Sequence, residues 1–140
     1  MKETEGGVQK KVLIVEDDAG ISSLIKVILE SEPGFRALIC PTTAAALYEI
    51  EKFDPDLILM DIDLKDTAVD GIEFYGLLKT IFKKDSEDLP MLVVSAMSGP
   101  ELQQRALQSG ARDYLLKPFE PEELLGACRR ILTKPGQVSA

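Results

Sequence analysis

Four short apolar runs in this chain each stop at a polar residue, and this pattern strongly restricts the fold. The runs of three or four apolar residues end immediately before Glu16, Asp61, Ser95 and Lys117. Segments with apolar residues at helical spacing separate the runs. Unbroken apolar runs of this length are typical of parallel strands that helices cover on both faces. The sequence therefore predicts an α/β fold built on a doubly wound parallel sheet.

Strand-like and helical segments alternate five times along the chain, with proline and glycine residues between them. A chain of this length is expected to form a single domain. The helical segments include one over about 43–52, one that opens at Gly71 and one that starts at Pro121. The predicted strands are 11–15, 35–39, 56–60, 90–95 and 113–116.

The fourth predicted helix carries a signal at each end. Ser98 stands three residues before Glu101, which is the spacing of a capping box, so Ser98 is the expected N-cap. Gly110 is expected to end the helix after about Ser109.

Composition and charge exclude several classes of function. The net charge of −8 disfavours direct binding to nucleic acid, which needs a basic face. No apolar run approaches the roughly 18 residues that cross a bilayer, and residues 1–11 lack the apolar segment of a secretory signal. Cys40 and Cys128 lie in apolar patterns and the chain has no histidine, so buried free thiols are expected rather than a zinc site. A cytoplasmic protein without membrane contact is the resulting expectation.

Three carboxylates gather at the predicted carboxyl edge of the sheet, where open parallel sheets bind ligands. Glu16, Asp17 and Asp61 would meet if the first and third strands are neighbours. Three carboxylates in one pocket repel each other, and a hard divalent cation relieves that repulsion. Oxygen ligands favour Mg²⁺, with Mn²⁺ as a second candidate, over zinc. The alternative, that each acid merely caps a helix, suits Asp18 but does not explain Asp61.

Two other polar side chains end the fourth and fifth predicted strands, and each has two interpretations. Lys117 can pair with the carboxylates, or its ammonium can neutralise a phosphoryl oxygen. Ser95 can donate a hydrogen bond to another phosphoryl oxygen, or it can simply end its strand. Taken together with the carboxylates, these residues indicate a site for a divalent cation and a phosphoryl group.

The motifs at these positions resemble the receiver domains of two-component response regulators. The resemblance covers about residues 10–133, which leaves 1–9 as an expected flexible arm and 134–140 as a tail or the start of a linker. It implies a flavodoxin-like sheet with strand order 2-1-3-4-5. The matching motifs are VLIVEDD at 12–18, LILMD at 57–61, DGIE at 70–73, VVSA at 93–96 and GARDYLLKPF at 110–119.

The resemblance implies that Asp61 accepts a phosphoryl group from the phosphohistidine of a sensor histidine kinase or a histidine phosphotransfer protein. It also implies that Glu16, Asp17, Asp61 and the backbone carbonyl of Asp63 hold Mg²⁺. Such a domain is a signalling module rather than an enzyme, and its chemistry is limited to self-phosphorylation from phosphodonors and self-dephosphorylation.

The same resemblance assigns Ser95 and Lys117 to the phosphoryl group and Tyr114 to the switch. Ser95 and Lys117 would move toward the phosphoryl group, and Tyr114 would turn into the space that Ser95 leaves. The face made by helix 4, strand 5 and helix 5 would then change and act on an output domain, a downstream protein or a second copy in a phosphorylation-dependent homodimer. The Lys117–Pro118 peptide bond is expected to be cis, as in the family.

The sequence departs from the common receiver pattern after Asp61. The segment 61–71 is about two residues longer than usual, and Lys65 stands where proline is frequent, so kinase contacts made there are open. Asp63 and Met97 would flank the path of a water molecule that attacks the phosphoryl group. Since Asp63 can orient that water and Met97 can only shield it, moderate self-hydrolysis is expected.

Two other interpretations of the sequence remain. Asp61-Ile62-Asp63 resembles the first motif of haloacid-dehalogenase-type phosphatases, but it lies on the third strand and Lys65 stands where that family has Thr or Val. A degenerate receiver that acts as a fixed scaffold is the other alternative, although every expected site residue is present. The sequence leaves open whether the chain is a stand-alone module or part of a larger regulator or hybrid kinase.

Overall fold

Five strands alternate with five helices along the part of the chain that the structure describes. The computed structural model describes residues 8–65, 69–82 and 89–133. The strands are β1 (Lys10–Val15), β2 (Phe35–Cys40), β3 (Leu57–Met60), β4 (Met91–Ser95) and β5 (Ala111–Leu116). The helices are α1 (Ala19–Glu30), α2 (Thr43–Phe53), α3 (Gly71–Ile81), α4 (Pro100–Gln108) and α5 (Pro121–Leu132).

All strand pairs are parallel, and the order across the sheet is β2-β1-β3-β4-β5. The predicted doubly wound α/β class and the 2-1-3-4-5 order are both confirmed. The register places Val15 of β1 beside Met60 of β3, and the Asp61 N–H donates to the Val15 carbonyl at 3.1 Å. This pairing brings the residues that follow β1 and β3 side by side at the carboxyl edge of the sheet.

The central strand β1 is buried on both faces, which explains its unbroken apolar sequence. Leu13 and Val15 pack in one core layer with side chains of α2 and α3, and Val12 and Ile14 pack in the other with side chains of α1 and α5. Among the residues of α4, Ala106 alone is buried. The helix α4 is therefore thinly anchored to the core compared with the other four.

Helix starts agree with the sequence in most cases, and one prediction is wrong. Asp18 caps α1 by accepting the N–H of Ile21 at 3.0 Å, as its position suggested. The predicted cap Ser98 lies one residue too early, because α4 starts at Pro100 with Gly99 as its N-cap. Proline disfavours helical geometry in the residue before it, and Gly99 adopts a φ of 133° that glycine tolerates. The predicted Ser98–Glu101 capping box is therefore absent from this end of α4, which has no side-chain cap.

Each predicted strand differs from the observed one by one or two residues at one end, and two of these differences have a local reason. The strand β5 starts at Ala111, two residues before the predicted Asp113, and its pairing with β4 has a register shift between Met91 and Leu92. Asp56 precedes β3 and acts as an anchor, since its carboxylate accepts the Lys11 N–H at 2.8 Å.

Several other predictions can be compared with the structure. The cis peptide bond between Lys117 and Pro118 is confirmed. Cys40 and Cys128 are buried free thiols, and burial raises their pKa values to about 11 and about 12. The predicted tail 134–140 and most of the predicted arm 1–9 lie outside the described residues, as does the segment 83–88. Within the described ranges, no helix is long and apolar enough to cross a membrane.

Candidate functional site

Three carboxylates meet at the carboxyl edge of the sheet, where the sequence predicted them. Glu16 and Asp17 follow β1, Asp61 follows β3, and one carboxylate oxygen from each lies within 4.8 Å of the other two. Glu16 and Asp61 are 3% and 7% exposed, and Asp17 is half-buried. The cluster therefore concentrates negative charge in a largely buried place, which is unfavourable without a nearby cation.

The arrangement raises the pKa of the Asp61 carboxyl group. Burial, together with the charge of Glu16, raises the pKa of Asp61 to about 7, although the Lys117 ammonium acts in the opposite direction. The N–H of Asp63 is 3.4 Å from Asp61 Oδ1, which is a long hydrogen bond. In the absence of a metal ion, Asp61 therefore holds a proton to a higher pH than an ordinary aspartate does.

Lys117 supplies positive charge at the floor of the site. Its Nζ lies 2.7 Å from Glu16 Oε1 and 3.8 Å from Asp61 Oδ1, and its side chain is 13% exposed. The backbone N–H of Lys117 donates to the Ser95 carbonyl, which fixes the end of β5 beside β4. The pairing of Lys117 with the carboxylates, one of its two predicted interpretations, is confirmed as a contact.

Ser95 and Tyr114 are linked through one residue of the loop that follows β4. Ser95 is fully buried, and its Oγ accepts the Met97 N–H at 3.0 Å. The Tyr114 hydroxyl donates to the Met97 carbonyl at 2.8 Å, and its half-buried ring packs against the core layer of α2 and α3. Both predicted switch residues thus hold the same loop, while the inward turn of Tyr114 on phosphorylation stays a prediction.

An open cavity of about 480 Å³ joins these residues. Asp63 and Met97 also line it, and both side chains are exposed, which suits their predicted positions near the path of attacking water. Sequence reasoning did not count Lys65, Ile21 and Ala96 among the site residues. The full lining is Glu16, Asp17, Asp18, Ile21, Asp61, Asp63, Lys65, Ser95, Ala96, Met97 and Lys117.

Two hydrogen bonds fix the segment after Asp61, one to the site and one within the segment. The Lys65 N–H donates to Asp17 Oδ2 at 3.1 Å, and the Gly71 N–H donates to the Ile62 carbonyl at 2.9 Å. A Cβ atom at position 71 would lie 2.1 Å from the Asp61 carbonyl oxygen, so only glycine fits there. Residues 66–68 of this segment lie outside the described residues.

The chemistry of this acidic cluster suits a hard dication. Three carboxylate oxygens are within reach of one ion, and burial makes their mutual repulsion costly when no ion is bound. Oxygen-only ligands favour Mg²⁺ or Mn²⁺ over zinc.

Comparison with known proteins identifies the family. A model of the response regulator receiver domain matches residues 12–129. The regulatory protein PhoB of Pseudomonas aeruginosa is 36% identical over 129 residues, which cover 92% of this chain and 54% of PhoB. NtrX of Azorhizobium caulinodans is 35% identical over 121 residues, which cover 86% of this chain and 26% of NtrX. The chain therefore spans about half or less of the length of these curated relatives.

A solved structure has the same architecture. The CheY-like receiver domain protein from Methanospirillum hungatei superposes with a TM-score of 0.77 at 30% identity, covering 89% of this chain and 94% of that one. This chain belongs to the response regulator receiver domain family, and it is a signalling module of the two-component type. The phosphatase interpretation is not favoured, because it leaves Glu16 and Asp17 at the site without a role.

Proposed function

We propose that Asp61 accepts a phosphoryl group from the phosphohistidine of a sensor histidine kinase or a histidine phosphotransfer protein. The observation that carries this proposal is the placement of the Asp61 carboxylate, within 4.8 Å of the oxygens of Glu16 and Asp17 and 3.8 Å from the Lys117 ammonium. A nucleophilic oxygen surrounded by metal-ligand oxygens and one cation is suited to phosphoryl transfer, which depends on positioning and charge compensation.

In the proposed step, a carboxylate oxygen of Asp61 forms a bond to phosphorus while the bond between phosphorus and the imidazole nitrogen breaks. The imidazole leaves with the electron pair. When bound, Mg²⁺ (or Mn²⁺) would be held by Glu16, Asp17, Asp61 and the Asp63 carbonyl, and it would supply positive charge to the phosphoryl oxygens. Lys117 compensates a further part of that charge, because its side chain is confined at the cavity floor.

The phosphoryl group on Asp61 would carry about −1.5 to −2 charges in place of the single charge of the carboxylate, at a site that already repels negative charge. Lys117 and the Ser95 hydroxyl are the donors that can move toward this new charge. Since Ser95 Oγ also receives the Met97 N–H, its movement would disturb the loop that Tyr114 holds through the Met97 carbonyl. The two states need only differ in their affinity for the phosphoryl group for the equilibrium to shift.

The face that would respond consists of α4, β5 and α5. Tyr114 belongs to this face, and α4 is thinly packed, so a change in the loop before α4 can be transmitted there. We propose that this face acts on an output domain or a downstream protein, or on a second copy in a phosphorylation-dependent homodimer. The relatives PhoB and NtrX are longer regulatory proteins, which supports an output domain as partner.

The lifetime of the phosphorylated state is part of the proposal. Asp63 can orient a water molecule, whereas the Met97 side chain can only shield the phosphorus atom. Both line the open cavity, and moderate self-hydrolysis is therefore expected. Decay rates that are unchanged in both Asp63→Ala and Met97→Ala would contradict these roles.

Three wider features complete the proposal. The receiver domain extends over 10–133, which the family match over 12–129 supports, with 1–9 as an arm and 134–140 as a tail or linker. A cytoplasmic location is supported by the two buried free thiols, which suit a reducing compartment. Absence of direct nucleic-acid contact by this domain is supported by its net charge of −8.

Labelling with acetyl phosphate and Mg²⁺, followed by intact-mass measurement, tests the acceptor. The wild-type protein should gain one phosphoryl group, and Asp61→Asn should gain none. Asp54→Asn is the matched control, because Asp54 follows α2 at the opposite edge of the sheet and its left-handed backbone suits asparagine. Labelling of Asp61→Asn at the wild-type level would refute the proposal, as would the absence of labelling in the wild type.

A further inference from the structure

Two cations line the acidic cavity in the described part of the chain, and they differ in their freedom to act. Lys117 lies at the floor, 13% exposed, and is paired with Glu16 at 2.7 Å. Lys65 lies at the mouth, where its side chain is 72% exposed. A molecule that enters the cavity from solvent therefore meets the ammonium of Lys65 before that of Lys117.

The position of Lys65 is fixed by its backbone rather than by its side chain. Its N–H donates to Asp17 Oδ2 at 3.1 Å across the site, a contact that a proline at this position could not make. The segment after β3 is thereby tied to the end of β1. This bond holds the Cα atom of Lys65 at the rim, and the long side chain extends from there into solvent.

The present partner of the Lys65 ammonium is easily exchanged. Nζ lies 3.1 Å from Asp63 Oδ2, and the two side chains are 72% and 62% exposed. Exposed ion pairs of this kind contribute little to stability. The hydrogen bond and the charge of Asp63 raise the pKa of Lys65, so the ammonium stays protonated at neutral pH.

The cavity presents an electrostatic obstacle to an anionic phosphodonor. Five carboxylates line it, namely those of Glu16, Asp17, Asp18, Asp61 and Asp63, against the two lysines. An approaching phosphoryl group is therefore repelled at the mouth, before it reaches the groups that stabilise it at Asp61. An exposed and movable cation at that point reduces this repulsion and raises the local concentration of the anion.

We propose that Lys65 is a specificity-determining residue that binds the phosphoryl oxygens of small anionic phosphodonors at the mouth of the cavity. This inference rests on the proposed acceptor role of Asp61. With an acyl phosphate, the bond between phosphorus and the carboxyl oxygen of the donor breaks, and the carboxylate leaves with the electron pair as the Asp61–phosphorus bond forms. Lys65 neither gains nor loses a proton in this step, and it acts on encounter and binding alone.

The test measures the rate of Asp61 labelling against acetyl phosphate concentration in saturating Mg²⁺. Lys65→Ala should raise the donor concentration for half-maximal rate about twofold to fivefold, since one exposed charge is removed, and should leave the maximal rate constant unchanged. Lys65→Glu should raise this concentration further, and Lys65→Arg should keep it at the wild-type value. Added salt should reduce the difference between Lys65→Ala and wild type, because the interaction is screened.

Two controls make the outcome specific. Lys52→Ala removes the same charge from the last turn of α2 at the opposite edge of the sheet, and its labelling should match the wild type. Mg²⁺ affinity from calorimetry should be equal or tighter in Lys65→Ala, because a cation near the metal ligands has been removed. Weaker Mg²⁺ binding in proportion to the labelling defect would overturn the proposal, and so would wild-type donor dependence in Lys65→Ala. A wild-type protein that is not labelled would instead refute the acceptor role of Asp61.

Discussion

Lys117 is bonded to Glu16 rather than to Asp61, with its Nζ 2.7 Å from Glu16 Oε1 and 3.8 Å from Asp61 Oδ1. Glu16 also accepts the N–H of Asp18 at 3.2 Å, so both of its oxygens have donors. The described contacts of Asp61 are weaker, with a hydrogen bond of 3.4 Å from the Asp63 N–H. In the metal-free site, Glu16 therefore has the stronger hydrogen bonds and its charge is better compensated. A bound cation would stabilise the Asp61 carboxylate more than that of Glu16.

The first prediction concerns the buried ion pair. Lys117→Met should lower the free energy of unfolding of the metal-free protein by about 3 kcal/mol, because Glu16 stays buried without its cation. Urea unfolding followed by circular dichroism measures this change. Saturating Mg²⁺ should recover part of the loss, since the dication takes over the compensation of the carboxylates.

Lys65→Met provides the matched comparison for Lys117→Met. The Lys65–Asp63 pair has the same kinds of groups but is exposed, so its loss should change stability far less than loss of the Lys117–Glu16 pair does. Equal effects of the two substitutions would show that burial does not determine the contribution of the Lys117–Glu16 pair.

The second prediction is a pH dependence of stability that Asp61 causes. Its pKa in the folded protein, about 7, lies above the ordinary value of 3.8, so the folded state binds more protons between these limits. The stabilising effect of the proton is complete below about pH 4 and is lost as the pH rises toward 7. Asp61→Asn has no titratable group at this position, so its free energy of unfolding should lack this decrease with pH. The free energy of unfolding of Asp61→Asn minus that of the wild type should therefore be about 2 kcal/mol larger at pH 8 than at pH 5.

Thermal or urea unfolding in EDTA at several pH values measures this difference directly. Mg²⁺ at pH 8 should stabilise the wild type and should stabilise Asp61→Asn less, because one ligand carboxylate is missing. A difference between wild type and Asp61→Asn that is constant from pH 5 to pH 8 would show that the pKa of Asp61 is not raised.

The third prediction concerns the attachment of α4. The Arg105 guanidinium forms two hydrogen bonds of 2.7 and 3.0 Å with the Asp70 carboxylate, which is also the N-cap of α3. Since α4 buries little apart from Ala106, this pair is a substantial part of its attachment. Arg105→Ala should therefore increase amide hydrogen exchange throughout α4, with a loss of global stability of only about 1 kcal/mol.

Asp70→Ala removes the helix cap as well as the ion pair, and should cost about 1 to 2 kcal/mol. In a double-mutant cycle, the combined variant should be more stable than the sum of the two single losses implies, because the shared interaction is lost only once. Additive effects would mean that the ion pair does not stabilise the folded state.

The arrangement of strand ends explains why much of this site could be predicted from the sequence. Glu16 and Asp61 directly follow apolar runs, and a parallel sheet places such positions on one edge. The alternation of strand and helix is a local property of the chain, so the fold class also followed from local patterns. The strand order and the individual roles needed the resemblance to receiver domains.

Features that depend on side-chain direction were beyond the reach of the sequence. The bond between Lys65 N–H and Asp17 depends on how a lengthened loop folds back, and no periodic pattern encodes this. Lys117 Nζ lies 2.7 Å from Glu16 and 3.8 Å from Asp61, and the sequence does not indicate which of the two acceptors is nearer. The Ser98 cap was wrong because the effect of Pro100 on the residue before it outweighed the capping pattern.

The fourth prediction links the start of α3 to the position of Asp61. A Cβ atom added at Gly71 would lie 2.1 Å from the Asp61 carbonyl oxygen and 2.8 Å from Met60 Cγ, so the backbone must move. Gly71→Ala should therefore cost about 2 to 3 kcal/mol of unfolding free energy and should weaken Mg²⁺ binding, because Asp61 is displaced. Urea unfolding and calorimetric Mg²⁺ titration measure the two effects.

Gly76→Ala in the same helix is the matched control for Gly71→Ala. A Cβ atom at Gly76 meets nothing within 4 Å, and alanine is the better helix former, so this variant should gain up to about 1 kcal/mol. Its Mg²⁺ affinity should equal that of the wild type, since Gly76 lies on the exposed side of α3. If Gly71→Ala were as stable as Gly76→Ala and bound Mg²⁺ equally well, the close approach of α3 to the Asp61 backbone would not position the acceptor carboxylate.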